Sequence, residues 1–190
     1  MTRTSRLFTV LWMNLALVGA LVVVGVSSGS LGVWAEGIDY LADAAAIGLA
    51  LAALRSTRRS ASRWAAGVNA AWLLAMSLAV AVGALIRLAD TSPHVHGLAV
   101  LVASAVAAVV MALGALILRG DVEADLSVRA VLLDTAADAA TAAGVAVSGL
   151  VIWLKGGWFW LDPAVALAIS IVVAYHAVRL LARIRATPLA

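Results

Sequence analysis

Residues 97–118 read GLAVLVASAVAAVVMALGALIL, a run without a single charged side chain. An α-helix needs about 20 consecutive apolar residues to cross the hydrocarbon core of a bilayer, so this run predicts a transmembrane helix. The 190-residue chain around it is 65% hydrophobic and only 12% charged. Soluble domains are roughly 45–50% apolar and about 25% charged, so the composition excludes a water-soluble protein.

Five further apolar stretches flank this run, and the breaks between them are short and rich in Ser, Gly, Asp, Pro and Arg. The fold class that we predict is an all-α membrane protein with six transmembrane helices. Six spans use roughly 120 residues, so we expect a single transmembrane domain over residues 1–190 and no soluble C-terminal domain. The predicted spans are residues 7–26, 31–54, 64–86, 97–118, 128–153 and 161–181.

The distribution of Lys and Arg predicts the orientation of the six spans. With the N-terminus in the cytoplasm, only Arg87 and Lys155 face outward, and eleven basic residues face inward. This excess predicts that both termini are cytoplasmic, and it accounts for the high isoelectric point without a nucleic-acid partner. The inward-facing set is Arg3, Arg6, Arg55, Arg58, Arg59, Arg63, Arg119, Arg129, Arg179, Arg183 and Arg185.

A short internal similarity links the two halves of the chain. Residues 38–45 in span 2 read IDYLADAA, and residues 133–140 in span 5 read LDTAADAA. Spans 1 to 3 begin inside and spans 4 to 6 begin outside, so related halves would form an inverted 3+3 repeat. Transporters built in this way bind their substrate near the bilayer midplane, between the repeats.

Four aspartates lie well inside the predicted spans: Asp39 and Asp43 in span 2, and Asp134 and Asp138 in span 5. Each pair is spaced i, i+4, which places both carboxylates on one helix face. From a rise of about 1.5 Å per residue, they lie roughly 18, 12, 9 and 15 Å from the cytoplasmic face. We therefore expect the four carboxylates to meet.

Four carboxylates in the bilayer require compensation. An ionisable group at this depth costs about 2.5–3.5 kcal/mol, so four unpaired ones would cost on the order of 10 kcal/mol. The sequence has no Arg, Lys or His at the same predicted depth. The remaining remedies are protonation or a bound cation. Carboxylates that are merely protonated and hydrogen-bonded are the alternative, but two matched pairs favour a divalent-cation site that also binds protons.

These residues resemble the cation diffusion facilitator family, whose members have six spans, cytoplasmic termini and an (H/D)xxxD pair on each of spans 2 and 5. The resemblance is best in residues 30–43, SLGVWAEGIDYLAD, and in residues 125–181, which contain VRAVLLDTAAD, GWFWLDPAVALAIS and AYHAVRLL. It implies export of a divalent metal from the cytoplasm in exchange for protons, across the plasma membrane of a bacterium. The metal ligands that it implies are Asp39, Asp43, Asp134 and Asp138.

The chain departs from the family pattern in three respects. Many zinc-transporting members have His first in one or both pairs, whereas this chain has Asp39 and Asp134. The loop between spans 2 and 3 carries no metal ligands, and the cytoplasmic domain that usually follows span 6 is missing from the sequence. We therefore expect a homodimer that forms through membrane contacts.

The donor set leaves the transported metal open. Four carboxylates favour Mn²⁺ or Fe²⁺ relative to a site with imidazole, but Zn²⁺ also accepts carboxylate oxygen and binds more tightly in general. Family members with four aspartates are often manganese transporters, whereas zinc and cadmium are the commoner substrates. The sequence therefore favours Zn²⁺ or Cd²⁺ and Mn²⁺ or Fe²⁺ about equally as the transported ion. No prosthetic group is expected.

Three other functions compete with transport. DxxxD pairs also occur in Mg²⁺-dependent prenyltransferases and CDP-alcohol phosphotransferases, but the DGxxAR stretch of the latter is missing here. An intramembrane aspartyl protease needs only one carboxylate from each of two helices. A metal-binding membrane subunit without transport activity is the third alternative. We expect a transporter and not an enzyme.

Several lesser candidates remain. Glu36 precedes Asp39 by one turn and lines the outer exit or is solvated near the interface. His94 and His96 form a weak His-x-His signal on the outer loop between spans 3 and 4, and a solvated loop is favoured. Asp162 is predicted to cap span 6, with Pro163 as its first residue. The acidic loop residues Asp121, Glu123 and Asp125, the inner His176, and Asn14 in span 1 carry weaker signals.

Overall fold

The computed structural model describes residues 3–55, 59–90, 92–119 and 126–186. These residues form six α-helices and no strand. Each predicted span coincides with one helix, and most helices continue for several residues beyond the apolar stretch. The helices are α1 (Arg3–Ser28), α2 (Leu31–Arg55), α3 (Arg59–Ala89), α4 (Gly97–Arg119), α5 (Leu126–Lys155) and α6 (Leu161–Ala186).

The surface of the bundle is that of a membrane protein. Five helices in the described part of the chain, α1 and α3 to α6, are long and apolar enough to cross a bilayer. The remaining helix, α2, carries Glu36, Asp39 and Asp43. Large apolar side chains such as Val109, Leu116 and Ile171 are exposed. A soluble protein rarely tolerates such a surface, whereas lipid solvates it.

The helices pack in pairs around a central α2. The most extensive contacts join α4 with α5, α3 with α6, and α1 with α2, and α2 contacts each of the other five helices. The α1–α2 pair in the first half of the chain corresponds to the α4–α5 pair in the second half, and α3 corresponds to α6. Two structurally related halves would show this correspondence. The inverted repeat and the cytoplasmic placement of the termini stay predictions.

Two glycines terminate helices in the left-handed conformation. Gly29 follows α1 with φ of 70° and Gly156 follows α5 with φ of 60°. Glycine adopts these angles without the steric cost that a Cβ brings, which is why it is common just after a helix. The Gly29 turn is also tied to the loop before α4, because the backbone N–H of His96 donates to the Ser28 carbonyl.

The start of α6 is joined to the start of α2 through a buried carboxylate. Asp162 Oδ2 accepts from the Leu31 N–H at 2.7 Å, and Oδ1 accepts from the Gly32 N–H at 3.1 Å and from the Ser30 hydroxyl. The Ser30 hydroxyl in turn accepts from the Val33 N–H at 3.1 Å. We call Ser30, Leu31, Gly32 and Asp162 the Asp162 cluster. It satisfies backbone donors of α2 that have no partner within the helix.

The prediction that Asp162 caps its own helix is therefore wrong. Helix α6 begins at Leu161, two residues earlier than that prediction requires, and Pro163 is its third residue rather than its first. The Asp162 side chain is fully buried and caps α2 instead, across 130 residues of sequence. Both helix starts offer positive dipole ends to the carboxylate, and sequence position alone does not reveal which one it contacts.

Helices α4 and α5 meet at two glycines. A Cβ at Gly149 would lie 2.6 Å from the Leu101 nitrogen, and one at Gly97 would lie 2.6 Å from the Trp153 nitrogen. The backbones are thus in direct contact, as small residues allow in membrane helices. At other glycines of these spans the packing differs: a Cβ at Gly19 or Gly144 would meet no described atom within 4 Å, and Gly25 faces the Trp34 ring.

We expect Gly149→Ala to destabilise the bundle by about 1–3 kcal/mol, because the added methyl group forces two backbones apart. Gly144→Ala is the matched control, since the same change on the same helix meets nothing within 4 Å. Thermal unfolding in detergent measures both variants. Equal stability of the two would contradict the observed α4–α5 contact.

Candidate metal-binding site

The predicted ligands lie midway along α2 and α5. Asp39 and Asp43 are half-buried on α2, and the Oδ2 atom of Asp43 is itself buried. Asp138 is buried on α5, with 7% of its surface exposed. The backbone of Asp134 belongs to α5, but its side chain lies outside what the structure describes. The described carboxylates therefore lie within the bundle rather than on its lipid-facing surface.

Tyr40 connects the acidic side chains of α2 with that of α5. Its side chain is completely buried. Its hydroxyl group donates to Glu36 Oε1 at 3.3 Å, and the Asp39 and Asp138 carboxylates are near enough to interact with it electrostatically. Because α2 and α5 also pack against each other, the Asp138 carboxylate belongs to the same polar region as the α2 acids.

Glu36 is completely buried, which excludes the solvated role at the interface. Its Oε2 atom accepts a hydrogen bond of 2.6 Å from the Ser104 hydroxyl, and its Oε1 atom accepts one of 3.3 Å from Tyr40. Ser104 lies on α4, so Glu36 joins α2 to α4 beside the candidate site. Sequence reasoning missed this partner, although Ser104 is the one hydroxyl residue of an otherwise apolar span.

The described side chains alone do not assemble a metal centre. Among them, no group of three or more His, Asp or Glu side chains is placed to hold one ion. The Asp134 side chain falls outside that set, so the four-aspartate site stays a prediction. Three of its members, Asp39, Asp43 and Asp138, nevertheless lie midway along two helices that pack against each other.

His94 and His96, in the loop between α3 and α4, lie side by side. The rings of His94 and His96 have centroids 5.2 Å apart, and the His94 ring also packs on Phe159. Both residues are exposed and border a shallow cavity of about 250 Å³ that Trp153 and Phe159 also line. No third metal ligand joins them among the described side chains. The acidic loop residues Asp121, Glu123 and Asp125 lie outside the described residues.

Asn14 is a polar residue of the bundle interior whose role the sequence leaves unassigned. Only 2% of its surface is exposed, and its Oδ1 atom is buried without a hydrogen-bond donor among the described residues. Buried polar atoms are nearly always hydrogen-bonded or bound to an ion or water. This oxygen is therefore available for a further ligand.

A second cavity, of about 450 Å³, lies between α1, α2 and α3. Its lining is apolar except for Asn69 and includes residues such as Val18, Trp34 and Leu73. None of the acidic residues contributes to it. This cavity is distinct from the carboxylate region, and no carboxylate lines it.

Comparison with known proteins gives a consistent result. The family model described as the cation efflux transmembrane domain matches residues 7–183. The metal cation efflux system protein CzcD of Cupriavidus metallidurans is 27% identical over 174 residues, which cover 84% of this chain and 54% of that protein. The cation efflux system protein CzcD of an Alcaligenes strain gives the same values. The chain thus spans about half the length of these relatives.

Proposed function

We infer the function from one premise: the chain belongs to the cation efflux family, whose transmembrane-domain model covers residues 7–183. The resemblance to cation diffusion facilitators is thereby confirmed. The family consists of transporters, so the chain is not a membrane transferase or an aspartyl protease. With its apolar helices, it is a multi-pass membrane protein.

We propose that the chain exports a divalent transition-metal ion from the cytoplasm through a site made by Asp39, Asp43, Asp134 and Asp138. The observation that carries this proposal is that described ligands on both helices lie inside the bundle: Asp138 of α5 is buried, and Asp39 and Asp43 of α2 are half-buried. Such carboxylates are costly in a bilayer unless a cation or protons neutralise them. Carboxylate oxygen is a suitable ligand for Mn²⁺, Fe²⁺ and Zn²⁺.

Exchange for protons is the coupling that we propose. Moving two positive charges outward against an inside-negative potential costs about 4.6 kcal/mol per 100 mV, and each entering proton returns about 2.3 kcal/mol. One proton per metal ion halves the electrical cost. The candidate site contains no histidine, so an aspartate must carry that proton.

Glu36 is proposed to support the site rather than to ligate the metal. Its two carboxylate oxygens are occupied by the hydroxyl groups of Ser104 and Tyr40. These bonds connect α4 to α2 one helical turn from Asp39. They hold the polar region together on the side that we predict to be the outer one.

The setting of the transporter follows the same inference. We propose that it functions in the plasma membrane of a bacterium, as a homodimer, with both termini in the cytoplasm. The alternative is a metal-binding subunit without transport activity, because a four-aspartate site is able to bind a metal ion without moving it across the membrane. Only flux distinguishes the two.

The test is a flux assay with the purified chain in proteoliposomes that carry a pH gradient and a pH-sensitive dye. We expect Zn²⁺, Cd²⁺, Mn²⁺ or Fe²⁺ added on one side to move across and to drive protons the opposite way. Empty liposomes and Ca²⁺ serve as controls. Metal binding without flux would favour the non-transporting subunit and contradict the proposal.

A further inference from the structure

The unassigned Asn14 lies on the interior face of α1. The buried positions of this helix include Asn14, Leu17, Leu21 and Gly25, which recur every three or four residues and so share one face. Leu21 on this face contacts the Cβ position of Gly37 on α2. Asn14 lies on the same face, about two helical turns farther than Leu21 from the turn between α1 and α2.

The register between helices places Asn14 at the depth of the acidic residues. Gly25 contacts Trp34, and Leu21 lies beside Gly37, so α1 and α2 run antiparallel in fixed register. Continuing that register brings Asn14 to the level of Asp43. Each step along a helix is about 1.5 Å, so an offset of one or two residues is only about 3 Å.

A second set of contacts gives the same depth independently. A Cβ at Gly114 of α4 would lie 3.4 Å from Thr135 Cγ2 and 3.6 Å from Met13 Cε. Thr135 follows Asp134 in sequence, and Met13 precedes Asn14. Side chains of α1 and α5 thus reach the same point on α4. Asn14 and Asp134, as the sequence neighbours of Met13 and Thr135, therefore lie at a similar level along the bundle.

We propose that Asn14 supplies its side-chain carbonyl oxygen to the transported metal ion as an additional ligand and thereby biases the site toward Mn²⁺. This inference rests on the proposed function, since it adds to the four-aspartate site. The supporting observations are the buried Oδ1 atom, which has no donor among the described residues, and the two registers.

The chemistry of the donor explains the expected selectivity. A neutral amide oxygen is a hard ligand, and it adds to the coordination number without adding charge. Carboxylate, carbonyl and water ligands suit Mn²⁺, whereas Zn²⁺ is usually coordinated by four ligands in tetrahedral geometry. A fifth oxygen therefore stabilises bound Mn²⁺ more than bound Zn²⁺. The preference between the two metals becomes a property of α1 as well as of α2 and α5.

The experiment measures Mn²⁺ and Zn²⁺ binding to the purified chain in nanodiscs, with bound Mn²⁺ followed by electron paramagnetic resonance. We expect Asn14→Leu to weaken Mn²⁺ binding by at least about tenfold and Zn²⁺ binding much less. Asn14→Asp restores an oxygen ligand and should recover Mn²⁺ binding. Asn69→Leu is the matched control, because Asn69 lines the apolar cavity between α1, α2 and α3.

Equal weakening of both metals by Asn14→Leu, or no change for either, would overturn the inference. So would an Asn14→Asp variant that binds Mn²⁺ no better than Asn14→Leu. If Asn14→Leu does not fold, Asn14→Ala takes its place with the same expectations. Failure of the proposed function is distinguishable: in that case the native chain itself binds and transports neither metal.

Discussion

Metal-driven proton flux is expected to fall to the level of empty liposomes when Asp39 or Asp134 is replaced by Asn. The substitution keeps the size of the side chain but removes a negative charge and a proton-binding group. A divalent ion in a site of low dielectric depends on that charge, and the antiport depends on an aspartate that alternates between metal and proton. The measurement is dye-reported proton flux in proteoliposomes with each of the four metals.

A matched control tests whether the loss is specific to the site. Asp90 is an exposed acid beyond the end of α3, and Asp90→Asn removes one charge without touching the bundle interior. We expect this variant to transport like the native chain. Asp39→Asn and Asp134→Asn should also unfold no earlier than the native chain, because they relieve repulsion between carboxylates. If transport survived both substitutions, the assignment of the metal site would be wrong.

The largest loss of stability is expected for Asp162→Ala, at about 3–5 kcal/mol. Asp162 is completely buried, and its removal leaves the Ser30 hydroxyl and the N–H groups of Leu31 and Gly32 without their acceptor. Each buried donor that loses its partner costs about 1–3 kcal/mol. For a chain of this size, the midpoint of thermal unfolding should fall by roughly 10 °C.

Graded substitutions distinguish the capping role of Asp162 from simple packing. Asp162→Asn keeps one carbonyl oxygen and should cost less than Asp162→Ala. Ser30→Ala removes the hydroxyl that Val33 contacts and should cost about 1 kcal/mol, as loss of a helix N-cap usually does. If Asp162→Ala unfolded within a degree of the native chain, the cluster would not hold α2 and α6 together.

The two experiments address different properties of the molecule. Asp39 and Asp134 are predicted to matter for transport and little for folding, whereas Asp162 matters for the stability of the contact between α2 and α6. All three are aspartates in or beside predicted spans, and the sequence alone does not rank them. Burial and hydrogen bonds identify the structural role of Asp162, which is completely buried and accepts from three donors within the Asp162 cluster.

Much of the fold follows from local sequence because a bilayer permits few alternatives. Backbone groups in hydrocarbon must be hydrogen-bonded within the segment, so an apolar run of sufficient length becomes a helix. The apolar spans 2, 4 and 6 were predicted to begin at residues 31, 97 and 161, where α2, α4 and α6 begin, although the cap assigned to Asp162 placed the first residue of α6 at 163. The ends were less accurate, because helices such as α3 and α6 continue past the apolar region.

Contacts between helices could not be predicted from hydrophobic length and helical periodicity. The i, i+4 spacing predicts that Asp39 and Asp43 share a face, but not that Glu36 would bond to Ser104 on α4. The small residues of α5 look alike in sequence, yet Gly149 touches a neighbouring backbone and Gly144 touches nothing. These differences depend on how each helix is rotated toward its neighbours.

The sequence by itself determined that this is a helical membrane protein with a pair of aspartates on each of two helices, because hydrophobic length and helical periodicity are local properties. Only the tertiary structure decided which helix start Asp162 caps, where Glu36 finds its partners, and that the amide of Asn14 faces the bundle interior. The physical reason is that a polar group in a membrane protein is stabilised by whichever partner packing brings within hydrogen-bond distance. For Asp162 and Glu36, such partners lie on other helices, 130 and 68 residues away in sequence.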